Sequence, residues 1–595
     1  MARPGSRLPS LRVVLPRVAI ACLALVLIGP ASADAAPQQL IPGLTYERKL
    51  EFTTRGPVAV NVLTVPRPGG LWSVKPVLSN EAIPGTERLT AIEKRYSASA
   101  TVAGVNGDLF GAGGAPSGIL MRNGALDQPP IPGRSSIGLD TSGTLNVARV
   151  TMLATWQGTG PRRALTDLNG PATANGVSLF TPAYGAATPS SPGSVELTLA
   201  TFPPATPNAE ISGTVTAASA NGGTQIPPTG AVLVARGTAA TFMQKEAPVG
   251  QTVRLRLILK PAWSTMVSAL GGGPLLVRNG KPIFRANEDF TPDQLLPRNA
   301  RTAVGQLADG RLLLVAVDGA QPGYSVGVTN FELALEMVKL GAVTAAALDG
   351  GNSTTMAFEG NLLNQPSGPE RPIGDALLVS YAGVYVPPAV EPVLSPNGDG
   401  VSDRQHLSYK VVRQSNVTVN LLGPDGVART TFTGPVAPGT YPFDWAGTKP
   451  DGTPELEGRW RWVVTATDDA GVASSGESDF TLNRTLGFGT GVTPDLTVPR
   501  TKARAVATFK LTRAATVTAR IKTMSGVVLR TLPQVQAPPG DIQLSWDGRT
   551  DAGASVYSGR YVAEVTATNA VGPVTLGTTF GVHRLLTFSR PPKKQ

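Results

Sequence analysis

Cysteine and histidine are almost missing from this chain. Of 595 residues one is a cysteine, Cys22, and two are histidines, His406 and His583. Cys22 lies in the apolar run "VAIACLALVLI" (18–28), behind a start carrying Arg3, Arg7, Arg12 and Arg17 and ahead of "ASADAAP". A basic start, a short apolar run and small residues read as a secretory signal peptide, residues 1–33, cleaved after Ala33. The competing reading is an uncleaved N-terminal anchor. Cys22 precedes most of the run, which argues against lipid attachment there. A cleaved chain has no cysteine, which excludes a disulfide, a thiolate zinc site and a cysteine nucleophile. Export without disulfides points to a bacterial protein, secreted or held at the cell surface. No other stretch is long and apolar enough for a transmembrane helix, so none is expected in the mature form.

Charge is also sparse: 16% of residues are charged against 41% apolar, a balance that suits folded domains. The net charge of +11 has two readings, a solvated arginine-rich surface or attraction to an anionic cell-wall polymer. No basic block is interleaved with aromatics, so nucleic acid is not an expected partner. The 67 glycines and 53 prolines follow no collagen-like period and favour turns and short strands. The length predicts roughly three or four domains.

The C-terminal part repeats itself. "FDWAGTKPDGTPELEGRWRWVVTATDDAG" (443–471) returns as "LSWDGRTDAGASVYSGRYVAEVTATNAVG" (544–572), with Trp445, Gly447, Gly452 and Gly458-Arg459 matching Trp546, Gly548, Gly553 and Gly559-Arg560. The period is about a hundred residues. Trp460, Trp462, Val464 and Ala466 alternate as one face of a strand, as do Tyr561, Ala563, Val565 and Ala567. Two β-sandwiches follow, at 389–485 and 486–590. Their skeleton resembles the immunoglobulin-like domain of the flagellar hook-capping protein, which implies spacer or adhesion modules. "NGDGVSD" places Asn397, Asp399 and Asp403 at alternating positions, as calcium loops do, but lacks the full EF-hand pattern. A turn is the simpler reading.

Residues 37–388 read as one large domain, or as a domain with an insertion. "TNFELALEMVKLGA" (329–342) predicts a helix capped by Thr329 or Asn330 and ended by Gly341, with Phe331, Ala334, Leu335 and Val338 on one face. The low-charge stretch around 186–230 predicts loops and edge strands. Both histidines lie in the sandwiches, so the large domain cannot use serine–histidine chemistry or an ordinary zinc site. Its acids and bases must be carboxylates, with lysine or tyrosine as outside candidates. No cofactor is expected, although a divalent cation such as calcium remains open.

Carboxylates stand at predicted strand ends beside glycines: Asp108 in "AGVNGDLF", Asp318 in "LLLVAVDG" and Asp349 in "LDGGNSTTM". Glycine allows the backbone to approach a ligand closely. Each fragment alone is most simply a turn. Their order, with "NGVSLFTPAYG", "ALGGGPLLVRNGKPI", "RTAVGQLADG" and "ERPIGDAL", resembles the phosphodiester glycosidase family, the domain of N-acetylglucosamine-1-phosphodiester α-N-acetylglucosaminidase, over about residues 100–380. The family usually has glycine where Asn352 stands. The resemblance implies an α+β, β-rich catalytic domain that hydrolyses a sugar-1-phosphate diester to free sugar and phosphomonoester, on cell-wall or other extracellular glycans. Asp349, Asp318 and Asp108 are then the catalytic candidates, their separate roles open. Arg301 and Arg371 would grip phosphate. Asn106, Thr302, Gly350, Gly351, Asn352, Ser353 and Thr354 would contact substrate. Two other readings remain: a non-catalytic carbohydrate- or wall-binding protein, and a metal-dependent phosphodiesterase with Asp108, Asp318 and Asp349 as ligands.

Overall fold

The computed structural model describes residues 37–283, 287–498 and 501–585. The signal-peptide reading of residues 1–33 falls outside them. Among the described residues, no helix is long and apolar enough to cross a membrane.

The site is carried by nine strands and one helix, in chain order β1 (Gly56–Val65), β2 (Trp72–Leu78), β3 (Thr101–Asn106), β4 (Leu275–Arg278), β5 (Arg301–Leu307), β6 (Leu312–Val317), α1 (Asn330–Lys339), β7 (Ala342–Ala347), β8 (Met356–Phe358) and β9 (Asp375–Tyr381). An antiparallel run β1-β6-β5-β7-β4 forms the body of an eight-stranded sheet, and β8-β3-β9-β2 forms most of a five-stranded one. The sequence of β6, "LLLVAV", shows why the first sheet is internal. Leu312, Leu314 and Ala316 pack with Ala103, Val105, Leu377 and Val379 of the second sheet. Leu313, Val315 and Val317 face the other way, against Leu333, Ala334 and Met337 of α1. A strand buried on both faces needs an uninterrupted apolar run.

Helix α1 begins with a capping box between Thr329 and Glu332, and Gly341, at φ +91°, follows its end. Its buried face is Leu333, Ala334 and Met337, while Leu335 lies exposed. Of the expected face, Ala334 is buried and Val338 packs against this core, while Leu335 is the residue that is corrected, 46% exposed. Apolar residues occur all round this helix, so periodicity alone does not choose the face, and the sheet does.

Residues 151–260 build a second eight-stranded sheet with its own core around Trp156, Leu233 and Leu257. Strands Ser190–Leu199 and Glu210–Gly222 pair on both sides inside it. The expectation of loops and edge strands there fails. Small Ser, Thr and Ala side chains hid the alternation that the neighbouring strands supply with bulk.

The fold is β-rich and is followed by two all-β sandwiches. Trp445 and Trp460 pack at the centre of the first, with ring centroids 4.4 Å apart, and Trp546 and Phe580 meet in the second. In "NGDGVSD" the Asp403 carboxylate accepts from the backbone N–H of Asn397, Gly398 and Gly400, and Asp399 accepts from Val401 and Phe488. Those carboxylates cap turns. Lys410 joins the first sandwich to the large domain by donating to Glu359, Ser97 and the Ala100 carbonyl.

Candidate active site

Three chain segments meet at one end of the stacked sheets: the exit of β3, the exit of β7 and the entry of β9. Register brings them together, since Ala376 lies opposite Asn106 and Met356 opposite Val105. Asn106 is buried and fully engaged. Its amide donates to the Asp349 carbonyl at 2.8 Å, and its Oδ1 accepts from the Thr302 hydroxyl at 2.7 Å and the Thr355 N–H at 3.1 Å. Asn106 and Thr302, expected to touch substrate, are therefore struts that hold the Asp349 loop. Their hydrogen bonds are spent inside the protein.

Asp108 sits in a cage of glycines. A Cβ on Gly271 would lie 2.2 Å from Asp108 Oδ2, and one on Gly118 would lie 2.9 Å from the same atom. That Oδ2 accepts from the Gly118 N–H at 2.6 Å. The Asp108 N–H donates to Asp375 Oδ1 at 2.9 Å. Asp375, the first residue of β9, is buried, and its Oδ2 has no hydrogen-bond partner. Burial pushes the Asp108 carboxyl up to about 7; the Gly118 and Leu109 N–H groups oppose this, and the charge of Asp349 adds to it. Burial, then the charge of Asp108, lifts Asp375 well above the carboxylate range. Asp108 ionises first, so Asp375 carries the mutual repulsion and keeps its proton.

Asp349 is half-buried. Its Oδ1 accepts from the Gly350 N–H at 2.9 Å. Burial raises it, while Ser353, Gly350, Arg371 and Arg301 oppose that rise. The loop turns because Gly351 stands at φ +62°, a left-handed conformation that costs glycine little. Asn352 is exposed, and its Oδ1 accepts from the Ser367 hydroxyl at 3.3 Å. Ser353 is buried and its hydroxyl accepts from Arg371 Nη1 at 3.0 Å. Thr354 is buried and its Oγ1 has no hydrogen-bond partner.

The two expected phosphate-binding arginines differ. Arg301 donates to the carbonyls of Gln294 at 2.7 Å, Pro297 at 2.8 Å and Val328 at 3.3 Å. It lends positive charge to Asp349, but its fork is occupied by the turn before β5. Arg371 is exposed and lies over the Phe110 ring at 4.8 Å, its charge felt by Asp349. Arg371→Ala is therefore expected to raise KM for an anionic substrate about tenfold or more, with little change in Tm. Arg301→Ala should instead lower Tm. Steady-state kinetics and thermal melts of both variants separate the two roles.

Asp318 stands apart from this cluster. Its carboxylate accepts from Asn61, Tyr324 and Asn364 side chains and from the Gln365 N–H. That corrects its expected catalytic role and its place in a metal-ligand trio with Asp108 and Asp349. Among the described residues, no group of three or more histidine, cysteine or acidic side chains is set to hold a metal. Asp318→Ala strands donors on the buried Asn61 and Asn364 and the half-buried Tyr324 and should cost about 3 kcal/mol, measured by chemical denaturation.

Of the three acids, Asp349 lines a cavity of about 230 Å³, together with Leu109, Phe290, Gln294, Arg301 and Asn330 among others. Two residues that shape this site were not among the expected site residues. Asp375 lies in "ERPIGDAL", where Arg371 was the candidate. Arg134, whose charge lowers Asp108, sits in an unremarkable turn over Phe290.

The fold and site define a β-rich domain with clustered aspartates under an arginine, joined to two sandwiches. Residues 205–380 match the phosphodiester glycosidase family, and residues 496–570 match the FlgD Ig-like domain. The first match covers Arg301, Asp349, Arg371 and Asp375; Asn106, Asp108 and Arg134 lie before it. The SPbeta prophage-derived uncharacterized protein YomE of Bacillus subtilis (strain 168) is 36% identical over 110 residues, 18% of this chain and 17% of that protein. N-acetylglucosamine-1-phosphodiester alpha-N-acetylglucosaminidase of Bos taurus is 41% identical over 111 residues, 17% of this chain and 21% of that one. The chain thus spans about a fifth of the length of these curated relatives. A solved structure of a hypothetical protein from Synechocystis superposes with a TM-score of 0.48 at 24% identity, covering 57% of this chain and 62% of its own. The family match supports a glycosidase-type function.

Proposed function

We propose that residues 37–388 form a secreted phosphodiester glycosidase that cleaves sugar-1-phosphate diesters of extracellular glycans between the anomeric carbon and the phosphate oxygen. Water enters at the anomeric carbon, and the products are a free sugar and a phosphomonoester. The carrying observation is the graded acid cluster behind Asp349, the carboxylate that feels the charge of both Arg371 and Arg301. Asp349 reaches the cavity, with Arg301 and Arg371 favouring its ionised form. Asp108, pushed up to about 7, holds a proton deeper in.

Arg371 offers a planar fork for the diester's charge. Phosphate is a good leaving group, so demand for acid assistance is modest. The main need is a carboxylate that stabilises or attacks the oxocarbenium-like anomeric carbon, or activates water against it. Asp349 fills that need, and Asp108 serves as the proton-holding partner. The two sandwiches act as spacers that carry the catalytic domain, and the positive net charge favours an anionic cell-wall polymer as the surface it works on.

The test is incubation of the purified chain with a panel of sugar-1-phosphate diesters and identification of products by mass. Free sugar with phosphomonoester is the expected result. Release of sugar phosphate would place attack at phosphorus and overturn the reading, as would glycan binding without any turnover.

A further inference from the structure

A second cleft of about 470 Å³ adjoins the acidic cavity, within the size range of small-ligand sites. Its walls are apolar: Leu276, Ile283, Phe290, Leu295, Leu296 and Phe331. The two cavities share Pro274, Phe290, Leu295 and Asn330. Asn330 donates to the Gln294 carbonyl at 3.3 Å and so fixes the partition between them. The one charged side chain among the described residues of this wall, Glu288, accepts from the Ser135 N–H and hydroxyl and from the Leu275 N–H. Its carboxylate is thereby committed to the protein. Leu296 stands 70% exposed at this cleft.

We propose that this cleft is the aglycone subsite and takes an alkyl or other apolar group esterified to the substrate's phosphate. The inference rests on the hydrolase reading above and narrows its substrate class. With the sugar phosphate in the cavity at Asp349, the group on the far ester oxygen has the cleft's apolar wall beside it, across the shared Phe290 and Leu295. A hydrocarbon chain gains by leaving water along the leucines and phenylalanines of this wall, whereas the polar side chains open to a sugar or glycerol aglycone are Asn287, Thr329 and Asn330.

Two measurements on the full chain test it. Calorimetry compares methyl phosphate with octyl phosphate, the latter below its micelle concentration, and kinetics compares methyl and octyl esters of a sugar 1-phosphate. Burial of a methylene favours binding about fourfold, so octyl phosphate should bind at least about tenfold more tightly. Leu296→Glu and Phe290→Ala should erase most of that difference. Equal affinity for both phosphates overturns the subsite, and if the methyl ester is still cleaved the hydrolase reading survives. Tight octyl phosphate binding with no diester cleaved upholds the subsite and overturns the hydrolase.

Discussion

Asp349→Asn is expected to lower kcat/KM for a sugar-1-phosphate diester by about a thousandfold or more, with Tm close to that of the parent. Removal of a positioned general base or nucleophile commonly costs this much. The substitution is nearly isosteric. An amide oxygen can still accept from the Gly350 N–H, now made by Asp349 Oδ1 at 2.9 Å. The backbone anchors also persist, because the Asp349 N–H donates to the Gly107 carbonyl and its own carbonyl accepts from Asn106. The loop should therefore stay in place while the charge that steadies the anomeric carbon is gone. Single-turnover kinetics with a melt on the same preparation checks both halves. Turnover within tenfold of the parent would remove Asp349 from the chemistry.

The contrast between Asp349 and Asp318 shows where the sequence stops being legible. Both read as Asp-Gly after an apolar strand, and both do end strands of one sheet. What separates them arrives from distant chain. Asn364 and Tyr324 turn their donors onto Asp318, whereas Asp349 is left facing a cavity. Asp375 was hidden for the same reason: the backbone that donates to it belongs to Asp108, 267 residues away. The glycines around Asp108 looked like turn residues, and only packing shows Gly118 and Gly271 as space kept clear for a carboxylate. The repeats, the capped helix and the strand that leads to Asp318 were legible because local pattern decides them. The strands Ser190–Leu199 and Glu210–Gly222 were not, because their small side chains carry little pattern and sheet neighbours supply the burial.

The buried acid pair gives the other large expected effect, a pH-dependent gain in stability from Asp108→Asn. In the unfolded chain an aspartate loses its proton near 3.9; in the folded protein Asp108 keeps it to about 7. Below the unfolded value both states are protonated and the folded state carries no electrostatic burden from this group. As pH rises toward 7 the unfolded state sheds its proton first, and folding stability falls by about 1.4 kcal/mol per unit. The loss is complete once the folded carboxyl ionises near 7, and totals on the order of 4 kcal/mol. Asp375, raised well above the carboxylate range by the same burial, adds a decline of its own. An asparagine at 108 never ionises and escapes the Asp108 share, while its amide oxygen can still accept from the Gly118 N–H. The variant should thus melt close to the parent at pH 4 and several degrees above it at pH 8, yet lose most of its turnover, since stability is traded for function at a strained site. In the parent, turnover that needs the protonated Asp108 should decline above about pH 7. Melts of parent and variant from pH 4 to 8 read the sign directly. A Tm difference that stays constant across that range would mean Asp108 is ionised throughout, and the proton-holding role would pass to Asp375 alone.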